Sequence, residues 1–306
     1  MKEMIKKVPV PLCGVMLGTA ALGNLLQSYS EGIRQVCGLF AALLLILILA
    51  KLICFSQMIK EDMKNPIMAS VAGTGSMALM ILSTYAKPWI GQAAYGIWLF
   101  AILLHVILIV YFTITFLCKL QMPKVFASYY IVYVGIAVAA ITAPAYEQTA
   151  IGAAAFWFGF VSLILLLILV TYRYVTVKEV LDPAKPLICI YAAPASLCVA
   201  GYVQSVTPKS FGFLMALFVL ATVLYLFALV KAVGYLKMPF YPSYAAFTFP
   251  FVISAIAAKQ TMACAAKLGH PLLALSGLVL VETVIAVVLV VYTYIRFMMF
   301  LTAKNK

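Results

Sequence analysis

Residues 245–254 read AAFTFPFVIS, an apolar run with Pro250 inside it and Phe247, Phe249 and Phe251 around the proline. Proline has no N–H to donate and its ring clashes with the preceding turn, so a helix bends or breaks there. In hydrocarbon such a break is tolerated only where protein or a water-filled cavity surrounds the freed backbone groups. The stretch therefore predicts an interrupted membrane helix beside a cavity, with large rings at the level of the break.

The rest of the 306-residue chain makes the bilayer its solvent. Of its residues 66% are hydrophobic and 9% charged, where soluble chains carry roughly a quarter charged residues. Ten apolar segments, each long enough to cross the hydrocarbon as a helix, lie at roughly 9–28, 33–57, 66–85, 90–118, 124–143, 150–172, 186–205, 210–235, 242–261 and 271–301. The net charge of +13 is unevenly placed. Sixteen of the 21 Lys and Arg precede the first segment, follow the last, or follow an even-numbered one; Arg34, Lys87, Lys209, Lys259 and Lys267 lie on the other side. That asymmetry predicts a multi-pass protein of the cytoplasmic membrane with both termini cytoplasmic. It reads as orientation and contact with anionic lipid rather than with nucleic acid. The opening MKEMIKKVPVPLCGVML resembles a secretory signal, but nine further segments favour a retained first helix. The seven cysteines contain no C-x-x-C pair and read as small core residues.

Short connections group the segments into five helical hairpins, approximately 9–57, 66–118, 124–172, 186–235 and 242–301, within one transmembrane domain, 1–306. A proline stands near the entrance of each odd segment: Pro11, Pro66, Pro123, Pro186 and Pro242. A helix-weakening residue then recurs deeper in: Gly18, Gly73, Gly135, Pro194 and Pro250, within VMLGTAA, SVAGTGS, VYVGIAV, YAAPASL and FTFPFVI. Even segments lack it and read as branched apolar surface, for example LFAALLLILILAKLICF at 39–55. Odd helices are expected inside, even ones outside against lipid. Close packing is the competing account of the same small residues; five breaks at one depth would instead enclose a central cavity.

Immediately before the breaks stand Leu17, Ala72, Val134, Ala193 and Phe249. A single ring among small partners can close a narrow pore, because an apolar constriction excludes water and ions. Phe249 is thus the candidate gate, bent inward by Pro250, with Leu17, Gly18, Ala72, Gly73, Val134, Gly135, Ala193 and Pro194 as candidate lining and break residues. Ordinary core or lipid packing is the alternative for Phe249.

PLCGVMLGTAALGN at 11–24, NPIMASVAGTGSMAL at 65–79 and YPSYAAFTFPFVISA at 241–255 resemble the tellurite-resistance and dicarboxylate transporter (TDT) family. That family contains bacterial tellurite-resistance channels, plant slow anion channels, and fungal malate carriers and sulfite pumps. The resemblance covers the whole chain. It implies an all-α membrane protein of ten helices, arranged as five hairpins about a pseudo-fivefold pore, and a homotrimer with one pore per subunit. It also implies a phenylalanine gate, which maps onto Phe249 through Thr-Phe-Pro at 248–250, and a pore glycine, which maps onto Gly18. Small anions are the implied cargo, through a channel or through a proton-coupled carrier of a C4-dicarboxylate, sulfite or tellurite.

His105 and Glu282 fall mid-membrane on even segments. A proton relay and a structural, hydrogen-bonded role are the two readings of such residues. Lys259 is open to attracting anions at a pore mouth or to snorkelling. No catalytic set, phosphate loop, metal-ligand cluster or cofactor motif is present, and an enzyme is not expected.

Overall fold

Proline and glycine decide which parts of the inner segments are α-helical. The computed structural model describes residues 2–303; 83% is helix, and no strand occurs among the described residues. After a short α1 (Lys2–Lys7) come α2 (Leu12–Leu26) and α3 (Glu31–Cys54), with Ser30 capping α3 through Ile33 N. A short α4 (Ser56–Asp62) leads to α5 (Pro66–Ile90), which has proline in its first turn, where the missing N–H needs no partner. Asn65 caps it by accepting from Ile67 N and Met68 N. Next is α6 (Gln92–Phe112), prolonged by a π-helical turn, Thr113–Leu117.

The third odd segment is a chain of pieces: a 3₁₀ turn at Met122–Lys124, α7 (Tyr129–Tyr133), α8 (Ala137–Thr142) and a 3₁₀ turn at Ala143–Tyr146. Then α9 (Thr149–Thr176) returns. The fourth begins as a 3₁₀ helix, Asp182–Ala192, and becomes α10 (Ala193–Ser205), after which α11 (Phe211–Tyr235) follows. The fifth repeats that plan: 3₁₀ at Pro242–Phe247, then α12 (Phe249–Lys267), with α13 (Leu275–Thr302) after it.

The chain therefore breaks at three of the five expected places. Gly135 sits between α7 and α8, and its N–H reaches back to Tyr130 O at 3.2 Å. Pro194 and Pro250 each occupy the first turn of an α-helix entered from a 3₁₀ lead. At Gly18 and Gly73 the expectation fails, since α2 and α5 run through them unbroken. Glycine keeps its N–H and weakens a helix by only about 1 kcal/mol, whereas proline deletes the bond.

Eight of the helical segments are long and apolar enough to cross a membrane; α2 and Ala137–Tyr146 are shorter apolar pieces. Within the spanning windows, a third or less of α3, α6, α9, α11 and α13 is buried, against 61% for α5, 67% for Pro242–Lys267 and 89% for Asp182–Ser205. Branched side chains such as Ile46, Ile107, Leu165, Val223 and Val284 cover the outside. Each odd segment packs on the even one after it, and the odd segments also touch one another in order: α2 with α5, α5 with α7 and α8, α8 with α10, α10 with α12, and α12 with α2.

A side-chain hydroxyl ties every one of those inner contacts. Tyr85 Oη donates to Ala20 O (2.7 Å), the Ser70 and Ser128 hydroxyls meet at 2.7 Å, and Ser205 Oγ donates to Ala140 O (2.6 Å). The Ser196 and Ser254 hydroxyls are 3.1 Å apart, and Thr248 Oγ1 lies 3.0 Å from Gly14 O.

Both ends of the described chain lie on one side of the bundle, where Lys7 Nζ donates to Ala303 O at 2.7 Å. We call this the terminal side. Arg173, 1% exposed, anchors it. Its Nη1 donates to Val177 O (3.3 Å) and its Nη2 to Pro123 O (3.2 Å) and Glu179 O (3.4 Å), while the guanidinium lies 4.7 Å from the Phe126 ring. Arg173→Met keeps the bulk but strands those three carbonyls. Thermal unfolding in detergent should show a loss of about 2 kcal/mol or more; an unchanged midpoint would mean the bonds are dispensable.

Candidate functional site

The inner segments leave two cavities, one towards each side. The terminal-side cavity, about 230 Å³, has apolar walls: Gly14 of α2, Val71, Thr74 and Met77 of α5, Ile131 of α7, Ile190, Ala193, Pro194 and Leu197 around the start of α10, and Ala246, Phe249 and Pro250 around the start of α12. The far-side cavity, about 510 Å³, is polar at its wide end: Asn24 of α2, Thr84 of α5, Thr142 of α8, Gln204 of α10, and Lys259 and Gln260 of α12, with Arg34 entering from α3. All five odd segments line both. Helical spacing carries the same face from one cavity to the other, as in Val71, Thr74, Ile81 and Thr84, or Phe249, Ile253, Ile256 and Gln260.

One residue belongs to both walls, and it is Phe249, 4% exposed. The two cavities therefore meet at Phe249 on the α12 side. Phe247 and Phe251, both fully buried, pack instead against Tyr244 (centroids 4.8 Å apart) and Tyr225 (5.7 Å). The 3₁₀ lead and Thr248, at φ −97° and ψ −93°, start α12 at the ring itself, so the break fixes where the ring stands.

The other predicted residues divide. Ala193 and Pro194 line the terminal-side cavity beside Phe249. Leu17 and Val134 are fully buried and line neither cavity; each lies between residues of its own segment that line one and the other, Gly14 and Ala21 for Leu17, Ile131 and Ile141 for Val134. Gly18, Ala72, Gly73 and Gly135 also line neither cavity, which corrects their reading as lining residues. Ala72 and Gly73 fall between Val71 and Thr74, both of which line the terminal-side cavity. Residue count from the segment entrance is a poor measure of depth, because a 3₁₀ lead rises about 2.0 Å per residue and an α-helix about 1.5 Å.

The three glycines serve close approach. A Cβ on Gly18 would stand 2.5 Å from Thr248 Cβ and 2.9 Å from Phe249 N, so α2 touches the α12 junction only because that atom is missing. A Cβ on Gly73 would stand 3.0 Å from Leu108 Cδ2 and 3.1 Å from Ile131 Cγ2, and one on Gly135 would run into Ile131 O and stand 2.7 Å from Met77 Sδ, with His105 Cε1 at 3.1 Å. His105 is fully buried; its Nδ1 lies 2.8 Å from Ser76 Oγ and its Nε2 3.0 Å from Val132 O. Glu282 is 2% exposed, and its Oε2 has no hydrogen-bond partner. Neither ionisable residue reaches a cavity.

The far-side cavity carries two cations. Arg34 donates from Nε to Asn24 Oδ1 (3.1 Å) and from Nη1 to Glu31 Oε1 (2.7 Å), with its guanidinium 4.2 Å from the Tyr85 ring. Lys259 Nζ donates to Leu25 O (3.1 Å) and to Ser28 Oγ. No carboxylate lines either cavity, and no group of metal-ligating side chains occurs among the described residues. Sequence reasoning singled out Lys259 from this polar set and missed the rest. Its signal was available in Asn24, Thr84, Gln204 and Gln260, each a polar residue near the far end of an odd segment.

The family model described as SLAC1, voltage-dependent anion channel, matches residues 7–300. No individually curated protein matches the chain.

Gly18→Ala places a methyl group against backbone and a buried threonine, so the α2–α12 contact has to open. Overpacking of that kind costs typically 1–3 kcal/mol, and thermal unfolding in detergent should register it. A variant as stable as the parent would show that the helices separate freely there.

Proposed function

The chain belongs to the SLAC1 family of voltage-dependent anion channels, and we propose that it passes small anions through a pore formed by the two cavities and closed by Phe249. Membership makes it a membrane anion channel or transporter of the TDT group. The observation that carries the finer reading is that Phe249 alone is shared by both cavity walls. In this reading five hairpins surround one pseudo-fivefold axis, supported by the closed order of contacts among α2, α5, α7–α8, α10 and α12.

Selectivity for anions then has a simple origin. Arg34 is paired with Glu31, but Lys259 is bonded only to Leu25 O and Ser28 Oγ, so the far-side cavity keeps a net positive charge that draws anions in. The terminal-side walls are apolar, so an ion passing the ring has to shed water, which favours weakly hydrated anions. The charge asymmetry of the connections supports a cytoplasmic terminal side, in a protein of the cell membrane. The assembly proposed is a homotrimer in which each subunit keeps its own pore, as the family resemblance implies. Small anions and lipid are the only partners this requires, and neither cofactor nor catalysis enters.

A second reading, a proton-coupled carrier of a C4-dicarboxylate, sulfite or tellurite, is favoured by one observation: the buried Glu282 with an oxygen left unpartnered. His105 fits it less well, since both ring nitrogens are engaged.

Reconstitution at a clamped potential separates these readings. Phe249→Ala should raise chloride conductance at least tenfold, and a properly assembled variant with parental conductance would rule out the ring as the gate. Anion current should persist without a pH gradient and in Glu282→Gln and His105→Ala; flux that disappears in all three conditions would establish obligatory coupling instead.

A further inference from the structure

The far-side cavity changes from polar to apolar along its depth, a grading that passage of a bare halide does not call for. At its wide end two cations converge on the last turn of α2. Arg34 Nε donates to Asn24 Oδ1 at 3.1 Å, and the next residue's carbonyl, Leu25 O, accepts from Lys259 Nζ at 3.1 Å. Glu31 neutralises Arg34 across 2.7 Å. Lys259 differs: no carboxylate pairs with it among the described residues, and its other bond is to the neutral Ser28 Oγ. An ammonium has three donors. Its charge and one N–H are therefore open to a ligand in the cavity that Lys259 lines. Asn24, beside that carbonyl and in the same wall, spends its Oδ1 on Arg34 and keeps its N–H₂ as a second donor.

Deeper in, the wall is hydrocarbon. Ile81 of α5, Ile141 of α8, and Ile253 and Ile256 of α12 line it above Phe249. From Ile253 to Lys259 the helix rises about 9 Å, so an anionic head at the lysine and an apolar body on the isoleucines fit one molecule of that length. The single unpaired ammonium balances one negative charge, and a second would lie against isoleucine with nothing to pair it. We infer that the far-side cavity is a binding site for an amphiphilic monocarboxylate, its head at Lys259 and its body on the isoleucine wall, and that the occupant blocks the pathway above Phe249. The cavity volume of about 510 Å³ lies within the usual range of small-molecule sites. Binding stands on the cavity alone; the blocking effect rests on the pore reading above.

4-Phenylbutyrate is the probe, with acetate and 4-phenylbutanol as controls lacking the body or the charge. Titration calorimetry on the purified protein in detergent should show saturable 4-phenylbutyrate binding and none of either control. Lys259→Gln should weaken it about tenfold, as expected for a hydrogen bond to a charged group, while Lys259→Arg, which restores the charge, should bind nearly as the parent does. Ile256→Asn, which makes the wall polar beside the body, should weaken binding as well. In planar bilayers, 4-phenylbutyrate added on the far side should reduce the chloride current of Phe249→Ala, and the same concentration on the terminal side should reduce it less. Absent binding, equal binding of 4-phenylbutanol, or parental affinity in Lys259→Gln would overturn the site. Saturable binding without block would leave the site standing and remove the pore reading and, with it, the blocking role.

Discussion

An amide or carbonyl without a partner costs several kilocalories per mole in a membrane interior, and this protein places three interrupted helices there. Everything about its inner layer follows from finding partners for that backbone. The leads into α10 and α12 tighten to 3₁₀ geometry, so N–H groups reach the carbonyl three residues back where proline has removed the usual donor. What remains is met sideways, by hydroxyls of one inner segment near carbonyls or hydroxyls of the next. Ser205 to Ala140 O, Thr248 beside Gly14 O and Ser196 beside Ser254 are bonds between segments far apart in sequence. These hydroxyls hold neighbouring inner segments together.

That dependence explains which parts of the fold are legible in the chain. The outer helices announce themselves: α3, α9 and α13 read as long branched apolar runs, because contact with lipid selects only for hydrophobicity. Pro194 and Pro250 also read correctly as interruptions, since a missing N–H acts in any surroundings. Gly18 and Gly73 misled because glycine permits a break without imposing one. Their meaning lies in what approaches them, Thr248 for the first and Leu108 with Ile131 for the second, and none of these neighbours is close in sequence. Hydropathy likewise does not distinguish 3₁₀ from α, so the depth of α5 was misjudged by about a turn.

The candidate site shows the same division. A local signal, an aromatic residue against a proline, marks Phe249, and the fold places that residue in both cavity walls. Arg34, Gln204 and Gln260 carry no such signal, since each is one polar residue on a different segment and only the packing gathers them. His105 turns out to bridge Ser76 and Val132, joining α6 to the segments that run either side of it in the chain. A histidine so engaged ties neighbouring segments together. The two cavities also differ in a way no single helix reveals: one offers fixed positive charge, the other almost nothing but carbon.

The order of the inner contacts bears on biosynthesis. The contact of α12 with α2 joins Thr248 to Gly14 across 234 positions, so the first segment to emerge waits for the last inner one before its flank is covered. Until then the layer is an open crescent with one side facing lipid or a chaperone. The seam is closed by the very segment that carries Phe249, so a truncated product that never reaches it lacks the α12 wall of both cavities.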